Sequence, residues 1–538
     1  MRSRLILAVP VVVAALAAAA AAQAPPTSSA GDAARYSPPR FTDPGRREKL
    51  ARAFEEIDRL VAGDMARQHV PGAAWGVVVD GELAHVGAAG TRVAGTEAPV
   101  DGDTVFRIAS MTKSFTAMAV LALRDEGRLS LDDPVERYVP ELRELRYPTA
   151  DSPRITVRHL LSHAAGFPED NPWGDQQLSA TEDELTAMLR RGISFSNPPG
   201  LAYEYSNLGF AILGRVVSRV SGVAYRDYVT ARVLRPLGMA STTLDPSAVA
   251  PERLAHGYRW EDGRWTEEPQ LPDGAFGSMG GMLTSVRDLS RYVAAFLAAW
   301  PPRDGPETLP VRRASLREMQ QVSRAEPAQV SVQAAAGAGA VRLRAGGYGF
   351  GLQVDQTCEF DHVVTHGGGL PGFGSLMRWL PEYGVGFVAV GNRTYTGWGG
   401  VANQVFALLA KTGGLQPRAV QPSPALVAAK DAVSHLVASW DDEVIERIAA
   451  VNLFRDRSKD RRRAEVEALR GQLGSCRADE AFDYVENALR GEWLLRCERG
   501  QARASVTLAP TVPPAVQDLE IRAVRPGGEG ARRSSCPK

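Results

Sequence analysis

Ile108-Ala109-Ser110-Met111-Thr112-Lys113-Ser114-Phe115 runs straight into Thr116-Ala117-Met118-Ala119-Val120-Leu121-Ala122-Leu123. The pattern predicts a helix from about Ser110 to Glu126, with Gly127 as its C-terminal cap. Its residues are apolar almost all the way round, and such a helix is buried. Ser110 and Lys113 are three apart, so they share a face with Cβ atoms roughly 5–6 Å apart. A buried lysine has reason to lose its proton, because desolvation disfavours the ammonium. A neutral amine can then take the serine proton and make a nucleophile. Lys113 is the only lysine between Lys49 and Lys411 in a chain that otherwise uses arginine. Arginine stays charged and cannot act as a base, whereas lysine can. A snorkelling lysine produces the same four-residue pattern, so the rest of the chain has to decide.

The bounds on that decision are broad. At 538 residues the chain has room for two to four domains. Its 62 basic and 62 acidic residues cancel, which argues against nucleic acid as a partner. Cys358, Cys476, Cys497 and Cys536 have no metal-ligand spacing. Arg2 and Arg4 precede an alanine-rich apolar run, Leu5 to Ala22, that ends on small residues before Gln23. Residues 1–22 therefore read as a cleaved export signal, giving a secreted or periplasmic protein with no membrane span after cleavage. Export permits disulfides.

Taken in order, residues 23–45 are rich in Pro, Ser, Ala and Arg and read as a disordered linker. Arg46 to Gln68 has a helical pattern, and two short strands flank the Asp80-Gly81 hairpin turn. His159 and His163 stand four apart, but Leu160 occupies the place where a zinc protease needs glutamate, so they read as structural. Helices are expected over Leu208–Ser221 and after Ser285, the latter capped by that serine. Ala325 to Gly346 is low in complexity and reads as a loop. Strands at Gly349–Val354, His362–Gly367, Ser375–Leu380 and Gly384–Val390 follow, then a helix over Val401–Ala410. Helices thus bracket an antiparallel sheet with strands from both ends of the chain. Residues 416–424 form a Pro-rich linker, 425–525 a small α+β accessory domain, and 526–538 a disordered tail. The accessory domain resembles nuclear-transport-factor-like modules. Cys476 and Cys497 are one way to bridge it, but four cysteines allow three pairings.

Three motifs carry the chemistry: Ser110-Met111-Thr112-Lys113, Tyr205-Ser206-Asn207 and His366-Gly367-Gly368. In order and spacing they resemble the serine β-lactamase and penicillin-binding superfamily, in the branch of class C β-lactamases, DD-carboxypeptidases and related esterases. The resemblance covers about Arg46 to Leu415, and residues 46–415 are assigned to one serine hydrolase domain. It implies an α/β (α+β) β-lactamase-like fold, an antiparallel sheet flanked by helices plus an all-helical subdomain. It also implies Ser110 as nucleophile, Lys113 as its activator and Tyr205 as the group exchanging protons with Ser110 and the leaving atom. Asn207 is expected to bond the acyl side chain or to hold Lys113. The oxyanion hole is expected from the backbone N–H groups of Ser110 and Gly369, with His366 and Gly367 on the same strand edge. Glycines there allow close backbone approach. No cofactor and no metal is implied.

Two departures bear on substrate. His366 stands where many relatives carry lysine, and Tyr-Ser-Asn replaces Ser-Asp-Asn. Lys411-Thr412-Gly413 reads as a helix end capped by Gly413, so it is not the third motif. No Gly-x-Ser-x-Gly elbow supports an α/β-hydrolase. The reading is an exported serine hydrolase acting on an ester, amide or β-lactam/D-Ala-type substrate, small molecule or peptide. Its rival is an inactive cell-wall peptide binder with the same fold. His366 is expected to offer a cation only when protonated, so weak β-lactamase activity and better turnover of neutral esters are expected. Preference for a carboxylate substrate would then grow from about pH 8 to about 5.5. Arg378 on the next strand is a second candidate cation. The segment after Pro424 carries none of the motifs and is expected to be dispensable for chemistry.

Overall fold

A computed structural model describes residues 32–335 and 338–524. The export signal expected over 1–22 and the tail over 526–538 lie outside the described residues. The chain divides into two compact units, one spanning Pro38–Val420 and the other built mainly from residues 421 onward.

The larger unit is built on an eight-stranded sheet. Its strands are β1 (Gly72–Val79), β2 (Glu82–Gly90), β3 (Arg324–Ala335), β4 (Ala338–Tyr348), β5 (Gln353–Thr357), β6 (Val363–Leu370), β7 (Phe373–Leu380) and β8 (Val385–Gly391). They lie in the order β2-β1-β8-β7-β6-β5-β4-β3, and every neighbouring pair is antiparallel. Strands from the two ends of the motif region pair directly, with Ala73 opposite Gly391 and Val79 opposite Val385. Every residue of β1 is buried, because both faces are covered. Alternation along the strand divides it. Ala74 and Val78 join one core, while Ala73, Trp75, Val77 and Val79 join the other. The β1–β2 turn has positive φ at both Asp80 and Gly81, as the sequence suggested for a two-residue hairpin.

On one face lie α1 (Phe54–Arg67) and α5 (Gly399–Lys411). On the other lie α2 (Thr112–Asp125), α3 (Asn207–Ser221) and α4 (Val286–Ala299). Thr112 through Leu123 of α2 are all buried, which is what its all-round apolar sequence demands. Gly222 closes α3 in the left-handed conformation, and Ser285 caps α4 by accepting the Asp288 N–H. Gly413, at φ +72°, follows the end of α5, so Lys411-Thr412-Gly413 is a helix end.

Two expectations are corrected. Of residues 325–346, read as a loop, 325–335 and 338–346 lie in the paired strands β3 and β4 at the sheet edge, with Val330 opposite Leu343. Backbone ladder bonds need no apolar face, so an Ala/Gly-rich stretch pairs as readily as a patterned one once its partner is adjacent. Residues 23–45 are not a linker throughout. Asp32–Ala34 form a 3-10 turn, and Arg40 exchanges two backbone hydrogen bonds with Ala419.

The smaller unit has its own core, including Leu426, Val433, Trp493, Ala504 and Val506. A five-stranded antiparallel sheet packs with helices Pro424–Ala438 and Lys459–Leu473. Ser423, placed in the linker by sequence, is buried and caps the first of these by accepting the Leu426 N–H. Cys476 and Cys497 face each other across two strands and form a disulfide. That settles which of the possible pairings these two cysteines take.

Candidate active site

The site is assembled where α2 begins. Ser110 lies in a 3-10 turn, Ala109–Met111, that feeds directly into α2. The turn is reached through Ala109 at φ +50°, a left-handed conformation that an alanine adopts at a cost of roughly 1 kcal/mol or more. Its neighbours hold it there. The Ile108 N–H donates to Met282 O, Ser375 Oγ donates to Ile108 O at 2.8 Å, and Thr112 Oγ1 donates to Ala109 O at 2.7 Å. Gly368 of β6 presses on the same point, because a Cβ there would stand 2.1 Å from Ile108 O.

Lys113 is fully buried, with its Nζ 3.0 Å from Ser110 Oγ, 2.6 Å from Asn207 Oδ1 and 2.8 Å from Met279 O. Desolvation lowers its pKa to about 7, against the opposing pull of Asp175 and Asp170. Asn207 Oδ1 and Met279 O are acceptors only. They take both N–H bonds of a neutral amine and leave its lone pair for the Ser110 proton.

Asn207 is fully buried, and its amide nitrogen donates to Asn171 Oδ1 at 3.1 Å. Of the two roles expected for it, the structure shows the one that holds Lys113. Asp170 fixes the start of α3 by accepting the backbone N–H groups of Asn207 at 2.6 Å and Leu208 at 2.9 Å. Asp175 accepts the Tyr395 hydroxyl at 2.8 Å, and burial pushes its pKa up to about 6. Sequence reading missed both carboxylates. They sit in Glu169-Asp170-Asn171-Pro172-Trp173-Gly174-Asp175, which has no periodicity or motif spacing to mark it.

Tyr205 hydrogen-bonds Ser110, and burial drives its pKa well above the ordinary phenol value, so it keeps its proton. Its ring lies 4.8 Å below Lys113 Nζ and 4.3 Å from the ring of His163. His163 accepts the Ser206 N–H at 3.0 Å, and His159 belongs to a capping box with Thr156. Both histidines are structural, as expected from Leu160, and His163 also packs against the tyrosine of the second motif.

The third motif differs from expectation in its electrostatics. His366 on β6 is buried, with Nδ1 donating to Gly367 O at 2.6 Å and Nε2 accepting the Tyr348 hydroxyl at 2.8 Å. Burial, reinforced by Lys113, lowers its pKa to about 4. His366 is therefore neutral throughout pH 5.5–8 and cannot supply the pH-dependent cation that the sequence suggested. Gly367 lies at the exposed part of β6, and Gly369 packs so closely on the Tyr395 ring that a Cβ would stand 2.6 Å from it. Two cavities border β6. One, of about 320 Å³, is lined by Tyr205, His366, Gly367 and Arg378, among others. The other, of about 390 Å³, is walled by Leu178, Leu271, Leu370, Phe373 and Tyr395.

Comparison with known proteins agrees with this geometry. A family model described as Beta-lactamase matches residues 57–411. Protein flp of Staphylococcus aureus (strain COL) is 25% identical over 344 residues, which is 63% of this chain and 63% of that protein. This chain thus spans less than two thirds of that relative's length. The octameric penicillin-binding protein homologue from Pyrococcus abyssi superimposes with a TM-score of 0.57 at 20% identity, covering 88% of this chain and 98% of that one. A class C beta-lactamase superimposes with a TM-score of 0.52 at 20% identity, covering 67% and 96% respectively. At such identities the structural likenesses speak for the fold.

Proposed function

The chain belongs to the beta-lactamase family of serine hydrolases, and from that premise we propose that it is an active hydrolase working through an acyl-enzyme on Ser110. One observation carries the reading. Lys113 Nζ stands 3.0 Å from Ser110 Oγ with its other two hydrogen-bonding directions taken by fixed acceptors. A buried amine so placed is a base aimed at one hydroxyl.

Lys113 accepts the Ser110 proton as Oγ bonds to the substrate's acyl carbon. The backbone N–H groups of Ser110 and Gly369 receive the negative charge that develops on the carbonyl oxygen. The bond from acyl carbon to leaving oxygen or nitrogen then breaks. Tyr205 hands its proton to the leaving atom and is recharged from Lys113, which restores the neutral amine. Water attacks the acyl-enzyme by the same relay and releases a carboxylic acid.

Esters, amides and β-lactam or D-Ala-type compounds are the candidate substrates, and the site of action is the periplasm or the exterior. The apolar, alanine-rich residues 5–22 and the Cys476–Cys497 disulfide support export. The test is covalent labelling of the purified protein by a fluorophosphonate or a labelled penicillin, followed by turnover on a panel of the three substrate types. Labelling that survives Ser110→Ala, or no labelling and no turnover at all, overturns the reading in favour of a binding protein.

A further inference from the structure

Tyr395 stands at φ +51°, a left-handed conformation that a bulky side chain adopts only where its surroundings force it. The residue is 51% exposed, so its ring does not fill a core. Its N–H donates to Phe373 O at 3.1 Å and Leu370 O at 3.4 Å, which pins it to the β6–β7 turn. From there the ring lies against Gly369, and the hydroxyl reaches Asp175 at 2.8 Å. Asp175 is buried and follows Gly174, where a Cβ would stand 2.6 Å from Asn207 Cβ. Tyr395 therefore spans from β6 to the wall that carries Asn207.

That span crosses the path of the acyl group. β5 pairs only with Val363–Thr365 of β6, so among the described residues no strand covers this edge of β6 beyond Thr365. With the substrate carbonyl on the N–H of Gly369, the leaving group and the acyl chain depart from the acyl carbon in different directions. Tyr205, which protonates the leaving atom, lines the cavity of about 320 Å³. The acyl chain therefore runs toward the cavity of about 390 Å³, walled by Leu178, Leu271, Leu370 and Phe373. Tyr395 lines that cavity too, with its ring on the residue that holds the carbonyl. A long chain meets the ring before it reaches the apolar wall.

Resting on the hydrolase reading above, we propose that Tyr395 restricts the enzyme to short acyl groups, of which acetyl is the type. The bond to Asp175 ties the ring across the passage, so the strained backbone serves selection of the acyl group. The preferred substrates are then short-chain esters, and the apolar cavity behind the ring is closed to longer chains.

The test is a pair of esters with one leaving group, p-nitrophenyl acetate and p-nitrophenyl hexanoate, assayed on the full chain with the Ser110→Ala rate subtracted. The wild-type ratio of kcat/KM, acetate over hexanoate, is expected to be about tenfold, the scale of forcing extra methylenes against a fixed side chain. Tyr395→Gly is expected to bring the ratio to about 1 or below, because the chain then reaches the apolar wall. Glycine takes the left-handed conformation without cost, and Tyr395→Asn, which tolerates it, makes the same comparison with a side chain present. The ratio cancels any change in the amount of folded enzyme. A wild-type ratio at or below 1, or a ratio that Tyr395→Gly and Tyr395→Asn leave in place, overturns the proposal, while Ser110-dependent hydrolysis of either ester upholds the hydrolase reading. Hydrolysis of neither ester overturns both.

Discussion

Two lysines are buried among the described residues, one in each unit, and one difference in their surroundings bears on chemistry. Lys113 sits on α2 with its Nζ on Met279 O and 4.8 Å from the ring of Tyr205. Lys430 sits on the helix Pro424–Ala438 with its Nζ on Glu480 O and 5.6 Å from the ring of Phe482. Both meet a backbone carbonyl and an aromatic face. Only Lys113 also meets a hydroxyl, that of Ser110. Burial on a helix is thus a structural solution available to any lysine with an acceptor and an aromatic face. Chemistry begins where one partner can lose a proton in return.

The comparison breaks first at the hydroxyl. Ser110→Ala removes the bond-forming atom, and ester hydrolysis is expected to fall by about 10⁴-fold or more while thermal unfolding stays within a degree or two of wild type. Retention of more than a few per cent of activity would place the nucleophile elsewhere. Lys113→Arg keeps the charge but not the base, and a loss of about 10²- to 10⁴-fold is expected, close to that of Lys113→Ala. Wild-type rates in the arginine variant would reduce Lys113 to the structural role of Lys430.

The pH profile sharpens the contrast further. Only the neutral amine accepts the serine proton, so kcat/KM for a neutral ester should rise about tenfold per pH unit below a limb near pH 7, where Lys113 titrates. Asp175, pushed up to about 6, interacts with Lys113, so the limb belongs to the pair. Removing that charge in Asp175→Asn should move the limb to lower pH. A limb near 10 would mean that Lys113 is not desolvated during turnover. The smallest effect is expected at the other lysine. Lys430→Met should leave ester hydrolysis within about twofold and cost about 1 kcal/mol of stability, because Glu480 O loses its donor. A larger loss of activity would show that the smaller unit contributes to the chemistry.

Legibility in the sequence tracks how locally each feature is determined. The Ser110–Lys113 pair, the burial of α2, the cap at Ser285 and the β1–β2 turn all depend on a few adjacent residues, and the structure shows them as read. Gln329-Val330-Ser331-Val332-Gln333 alternates cleanly enough to be a strand, but the Ala/Gly run beside it hid the signal. Asp170 and Asp175 reach the site only through the fold. The state of His366 was beyond reach for the same reason. It depends on burial and on the nearness of Lys113, which only the fold brings about. Arg378 was visible as a cation, but its bonds to Thr365, Gly399 and Asn403 are a fact of three dimensions.

The pairing of β1 with β8 has a consequence for how the chain is made. Ala73 through Val79 wait for Val385 through Gly391, which leave the ribosome last among the sheet strands. Until then the β1–β2 hairpin holds an entirely apolar strand with one edge open, the kind of edge that recruits other chains. Pairing across so long a loop is slow, because closure entropy comes before any contact repays it. Nascent chains that stop short of Val385 should therefore collect in aggregates rather than persist as soluble fragments, however complete their catalytic helix.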